Sequence, residues 1–151
     1  MRYLFFAIAL FFTFFLQGRI SVLGISPDLT ALLVFFAGMR YGETRGLLLG
    51  VLTGALEDGL AGSFIGPHML SKGIIGFSSS FFVSGGFFRW TPLLGAVAVA
   101  LLTVSDNFFV LLSRTIFDRM PSSLPEAFFV TIMQALLNTP AGVIMGPKHV
   151  D

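Results

Sequence analysis

Apolar residues fall in long blocks divided by short polar or glycine-rich breaks, and block length is the first signal. A helix needs roughly 20 mostly apolar residues to cross the hydrocarbon core of a bilayer. Tyr3 to Leu16 is almost unbroken, and Ile20 to Ile25 can extend it. Leu29 to Met39 follows Pro27-Asp28, the pattern of a helix start with an acid in the first turn. Gly46 to Leu60 is the third block, Ile65 to Val83 the fourth, Leu93 to Ile116 the fifth and Ala127 to Met145 the sixth. The second and third are short and meet at Arg40-Tyr41-Gly42-Glu43-Thr44-Arg45, which reads as a tight polar turn. A re-entrant hairpin is the alternative for that pair, because short Gly-rich stretches can sit at membrane depth when protein covers them. The pattern predicts an all-α membrane protein, one polytopic domain over residues 1–151 with six transmembrane helices.

Composition agrees with lipid as the main solvent. Hydrophobic residues make up 55% of the 151 positions and charged residues 11%, with 19 Phe. Mean hydropathy is +0.90. A chain this short has too little interior to hide so much apolar surface from water, and it lacks the charge of a disordered segment. The absence of Cys excludes disulfides and thiolate metal sites. A net charge of +1 excludes the basic patch that nucleic acid requires.

Arg2 before an apolar run resembles a secretory signal, but no small-x-small site follows Leu16, and Gln17-Gly18-Arg19 leads into further apolar sequence. The first block therefore reads as a permanent helix. With the N-terminus inside, Arg2, Arg40, Arg45, Arg89 and Lys148 face the cytoplasm, and Arg19, Arg114 and Arg119 face outward. That bias predicts both termini in the cytoplasm.

The polar residues inside the blocks are the candidates for chemistry. Gly46, Gly50 and Gly54 recur every four residues, with Asp58 one turn further on the same stripe. Such a stripe lets another helix approach closely, within the chain or from a partner. By that register Asp58 points into the bundle or toward a partner, and Glu57 is turned aside. Gly59, Gly62 and Gly66-Pro67 lead to His68 and Lys72, four apart and so on one helical face, with Glu57 and Asp58 as natural partners. Asp106 interrupts the fifth block and needs a donor such as Lys72 or Arg114. Gln134 and Asn138 precede Thr139-Pro140, where polar side chains can satisfy carbonyls that the proline leaves free. Ser123 to Glu126 has capping-box spacing. No His-Glu-x-x-His or Gly-x-Ser-x-Gly pattern is present, and no catalytic constellation, cofactor or metal site is expected.

Three elements together resemble the rod shape-determining protein MreD family: Pro27-Asp28-Leu29, Arg45-Gly46 with its glycine stripe, and Asp58 followed by Gly62-Ser63-Phe64-Ile65-Gly66-Pro67-His68-Met69-Leu70. The likeness covers roughly residues 26 to 76. Glu57 beside Asp58, and Pro67 before His68, depart from the commoner apolar neighbours. The resemblance implies a non-enzymatic scaffold of the bacterial cell-wall elongation complex in the inner membrane. Its implied partners are MreC, with RodA, a class B penicillin-binding protein and MreB. It also implies a fold similar to the six-helix S-components of vitamin transporters. The rival expectation is a solute-binding subunit of that S-component type, which would aim several polar groups into one cavity. For the scaffold, the Phe residues of the first two helices (Phe5, Phe6, Phe11, Phe12, Phe14, Phe15, Phe35 and Phe36) form the expected packing surface for the transmembrane helix of MreC.

Overall fold

The computed structural model describes residues 2–62, 64–84, 90–117 and 123–145. Arg89, Arg119, Lys148 and His149 lie outside them, as does Ser63. The described residues form seven helices: α1 (Arg2–Gln17), α2 (Leu29–Tyr41), α3 (Glu43–Leu60), α4 (Pro67–Ser78), α5 (Phe81–Ser84), α6 (Pro92–Phe117) and α7 (Leu124–Ile144). No strand accompanies them; the link from α1 to α2 carries only an isolated bridge between Val22 and Ile25. The expected all-helical class is therefore found. Among the described residues, two helices are long and apolar enough to cross a membrane: α6, with 26 residues and a mean hydropathy of 1.9 over its 18-residue apolar stretch, and α7, with 21 residues and 1.5. At ~1.5 Å per residue they extend about 39 and 32 Å, against a hydrocarbon core of about 30 Å. The helices α2 and α4 are shorter, at about 20 and 18 Å on the same rise.

Local chemistry sets most boundaries. Asp28 caps α2, its side chain accepting the Ala31 N–H at 2.8 Å. Gly42 alone separates α2 from α3, at φ 86°, a left-handed conformation that favours glycine. Pro67 occupies the first turn of α4, where its missing N–H costs no helical bond. Two expectations fail. The fourth block is not one helix from Ile65 to Val83: α4 ends at Ser78 and a short α5 follows. The Ser79 hydroxyl folds back onto the Ile75 carbonyl and that of Ser80 onto Phe77, the local competition that weakens helices at serine runs. Ser123 stands at the N-cap of α7, but its side chain makes no capping bond, so no capping box forms.

Packing is dominated by two close pairs, α3 on α4 and α6 on α7. The helix α2 lies against α3 and α4, α4 connects across to α6, and α1 packs on α2. The stripe on α3 meets α4 of the same chain. A Cβ built at Gly50 would strike the Lys72 carbonyl, one at Gly54 the His68 carbonyl, and one at Gly46 the Gly76 carbonyl. At Gly76 the collision is reciprocal, with the Gly46 carbonyl, and Gly38 of α2 meets the same turn. Gly95 and Gly142 form a second reciprocal contact between α6 and α7, which the spacing pattern does not announce. Around these contacts lies the main core of Ala31, Leu32, Val34, Phe35, Ile75, Ala98 and Val99. A smaller cluster of Phe6, Ala37 and Leu49 holds α1 to the bundle.

The stripe predicts a graded glycine scan. Gly50→Leu forces backbone apart and should lower stability by more than the roughly 1–3 kcal/mol of ordinary overpacking. Gly59→Ala, where a Cβ meets open space, should be near neutral. Thermal unfolding in detergent micelles measures both, and equal melting temperatures would contradict the close approach.

Candidate functional site

Three carboxylates, from the N-cap of α2, the last turn of α3 and the middle of α6, converge on one ammonium. Lys72, in the second turn of α4, is fully buried. Its Nζ lies 3.2 Å from Asp28 Oδ2, 2.9 Å from Glu57 Oε2 and 3.1 Å from Asp106 Oδ2. An ammonium has three donors and no acceptor, so each proton has one carboxylate. The carboxylates are themselves braced. Asp28 Oδ1 accepts from Ala31 N–H, and the Thr30 hydroxyl lies 2.7 Å from Asp28 Oδ1 and 3.1 Å from Glu57 Oε2. The Ser71 hydroxyl donates to the Asp106 carboxylate and also sits 3.0 Å from the Asp106 carbonyl. Charges removed from water need this degree of satisfaction, because a charge left unpaired at such a site is strongly destabilising.

Above the cluster, His68 stands one turn before Lys72. Arg114 Nη2 lies 3.4 Å from His68 Nε2. Since a guanidinium only donates, Nε2 is the acceptor and the ring proton belongs on Nδ1. That Nδ1 faces Glu57 Oε2 at 3.8 Å, too far for a hydrogen bond, and has no other partner among the described residues.

Asp58 has a different task. It is buried, and its carboxylate accepts Gly66 N–H at 2.8 Å and the His68 and Met69 N–H groups at 3.2 Å. Gly66, the N-cap of α4, has no side chain to offer. Asp58 therefore caps α4 from the end of α3, satisfying donors that a helix start leaves without partners and placing negative charge where the dipole favours it.

A third polar group ties α7 to the start of α2. Asn138 Nδ2 donates to Thr103 Oγ1 at 3.1 Å and to the Asp28 carbonyl at 3.4 Å, and Gln134 Nε2 donates to the Ser26 carbonyl at 3.1 Å. Asn107 Nδ2 donates to Gln134 Oε1 at 2.8 Å. The Asn138 Oδ1 has no hydrogen-bond partner among the described residues.

Gly46, Gly50, Gly54 and Asp58 do share one face, and that face is turned to α4. His68 and Lys72 do share a face, and Lys72 is the donor that Asp106 needs. Glu57 is not turned aside: it bonds Lys72 more closely than either aspartate. Asp58 pairs with backbone amides rather than with the His68 or Lys72 side chains. Gln134 and Asn138 reach across to the α2 entry rather than to carbonyls freed by Pro140. Asp28 and Thr30 are cluster members that the sequence marked only as a helix start; a carboxylate opening an apolar run was the available signal.

The polar groups converge on each other through hydrogen bonds and ion pairs. The space beside them is a void of about 10 Å³ lined by Ala31, Leu32, Phe35, Ile75, Val99, Leu102 and Thr103. A larger cavity, about 570 Å³, is an apolar groove elsewhere, between α1, α2 and the end of α7. Among the described residues, no group of His, Asp and Glu side chains has the arrangement of a metal site. Comparison of the chain with family models, curated proteins and solved structures finds no match.

Two expectations follow for stability. Asp58→Ala strands three backbone donors and should lower the melting temperature more than Glu57→Ala, which leaves Lys72 two carboxylates; the reverse order would contradict the capping role. Lys72→Met leaves three carboxylates facing each other, at a cost of about 3–5 kcal/mol. Adding Asp106→Asn to it should recover part of that loss in the same unfolding measurement.

Proposed function

We propose that this chain is a non-enzymatic membrane scaffold of the kind the MreD resemblance implies, holding MreC in the bacterial inner membrane. Through MreC it would connect to RodA, a class B penicillin-binding protein and MreB. In this reading α4 and α5 together make the fourth of six crossings, and both termini lie in the cytoplasm. The α2–α3 turn with Arg40 and Arg45 then lies on the cytoplasmic side, and the ionic cluster near the outer one.

The observation that carries the reading is the outward face of α1. Phe5 and Phe11 are 69% and 70% exposed, and Leu4, Ile8, Phe12 and Phe15 are exposed beside them. Phe6 and Phe35 belong to the interior instead, which narrows the surface expected from the sequence. An outward row of large rings on a membrane helix can bind another helix by van der Waals fit, the contact on which association in lipid depends. The inward polar groups, engaged with each other, favour a protein-binding role over a solute-binding one.

The test is co-expression with affinity-tagged MreC from the same organism and, as control, a tagged unrelated bitopic protein. Recovery with MreC should exceed the control and fall when Phe11, Phe12 and Phe15 are replaced together by Ala. Equal recovery with both baits would overturn the assignment.

A further inference from the structure

The groove between α1 and α2 has one chemistry along its length and another at one end. Phe5, Phe6, Ala9, Thr13 and Leu16 of α1 form one wall, Leu29, Leu32, Leu33, Phe36 and Ala37 of α2 the other, and Ala141 and Met145 of α7 its remaining side. The single hydroxyl on that wall, of Thr13, donates to the Ala9 carbonyl at 2.8 Å and so offers no free donor. At the C-terminal end of α2 the lining changes to Arg40 and Tyr41. Arg40 is exposed, and neither side chain has a hydrogen-bond or ion-pair partner among the described residues. From Leu29 to Tyr41 the groove runs about 18 Å along the helix axis, close to the depth of one leaflet, half of the ~30 Å hydrocarbon core. Its volume of about 570 Å³ is that of a ligand site rather than a packing defect.

A ligand complementary to this shape is apolar for the length of one leaflet and anionic at one end. Arginine offers paired donors matched to phosphate oxygens, and a tyrosine hydroxyl at the headgroup level adds another. We propose that the groove binds one acyl chain of an anionic phospholipid, with its phosphate at Arg40 and Tyr41. The chain lies between α1 and α2 and fills space that the protein leaves open. This inference is independent of MreC and is tested on the chain alone.

Native mass spectrometry of the purified protein in mild detergent, titrated with phosphatidylglycerol or with phosphatidylcholine of the same acyl chains, distinguishes the outcomes. Phosphatidylglycerol should bind as a single tight adduct, with phosphatidylcholine weaker. Arg40→Gln should weaken the phosphatidylglycerol adduct about tenfold, the scale of one charge-assisted hydrogen bond, and weaken phosphatidylcholine less, because choline already offsets the charge of its phosphate. Arg40 is exposed, so that variant should keep its fold, with far-ultraviolet circular dichroism as the check. Ala9→Phe, on the less buried wall, should reduce both adducts by filling the groove. Equal binding of the two lipids, or a phosphatidylglycerol preference that survives Arg40→Gln, would overturn the proposal. A lipid-free dimer that Ala9→Phe dissociates would assign the groove to a second copy of the chain and overturn it as well.

Discussion

The arrangement of this bundle depends on one buried ammonium. Lys72 is fully enclosed, and water cannot solvate it. Its three donors therefore fix where three other helices must bring an acid: the first residue before α2, the last turn of α3 and the middle of α6. Apolar side chains give little such instruction in a membrane, because lipid is as apolar as the helix surfaces. A leucine face can turn toward lipid or protein at similar cost. A carboxylate at depth cannot. The cluster thus specifies orientation where hydrophobicity does not, and Asn138 extends it to α7 by bonding the carbonyl of Asp28.

Glycines make that convergence possible. The Lys72 stem is buried because α4 lies almost in backbone contact with α3, and at Gly50 a methyl group would strike the Lys72 carbonyl itself. The same close approach brings the end of α3 beside the start of α4, so Asp58 can cap a helix that has only glycine at its own N-cap. Separation and charge are therefore coupled. Widening the seam moves Glu57 away from Lys72 and Asp58 away from the α4 amides together.

Much of this was legible in the sequence, and the parts that were not share a cause. The helical blocks, the helix start at Pro27-Asp28, the glycine stripe, and the pairing of Lys72 with an acid at the end of α3 follow from local spacing or a single charge argument. The break at Ser78 to Ser80 does not, because serines suit a helix contact as well as a helix end until their hydroxyls find carbonyls. The direction of Glu57 was lost because helical register ranks faces within α3, while its partner is set by how α4 returns over the α3 end. Asn138 and Gln134 reach residues more than a hundred positions away, a pairing that only the packing of α7 on the bundle defines. Phe6 and Phe35 read like any other ring in an apolar run. In lipid the usual contrast between apolar inside and polar outside disappears, and with it the sequence signal for which ring is buried.

The helix α1 belongs to neither the glycine seams nor the ionic cluster, and its register divides its functions. Phe6, Ala9, Leu10 and Thr13 recur at three- and four-residue steps and face inward, toward α2 and the groove. Leu4, Ile8, Phe11, Phe12 and Phe15 recur on the other side and face outward. Phe5, exposed and also on the groove wall, lies at the edge between the two sides; apart from it, a lipid chain in the groove and a partner helix on the outer face would meet different side chains of one helix. Since α1 is held to the bundle mainly through α2 and a small cluster around Phe6, filling the groove would add contact on the inner side without taking any from the outer. The two proposals are compatible on one molecule, and a lipid seated behind α1 would fix the angle at which its phenylalanine row is presented.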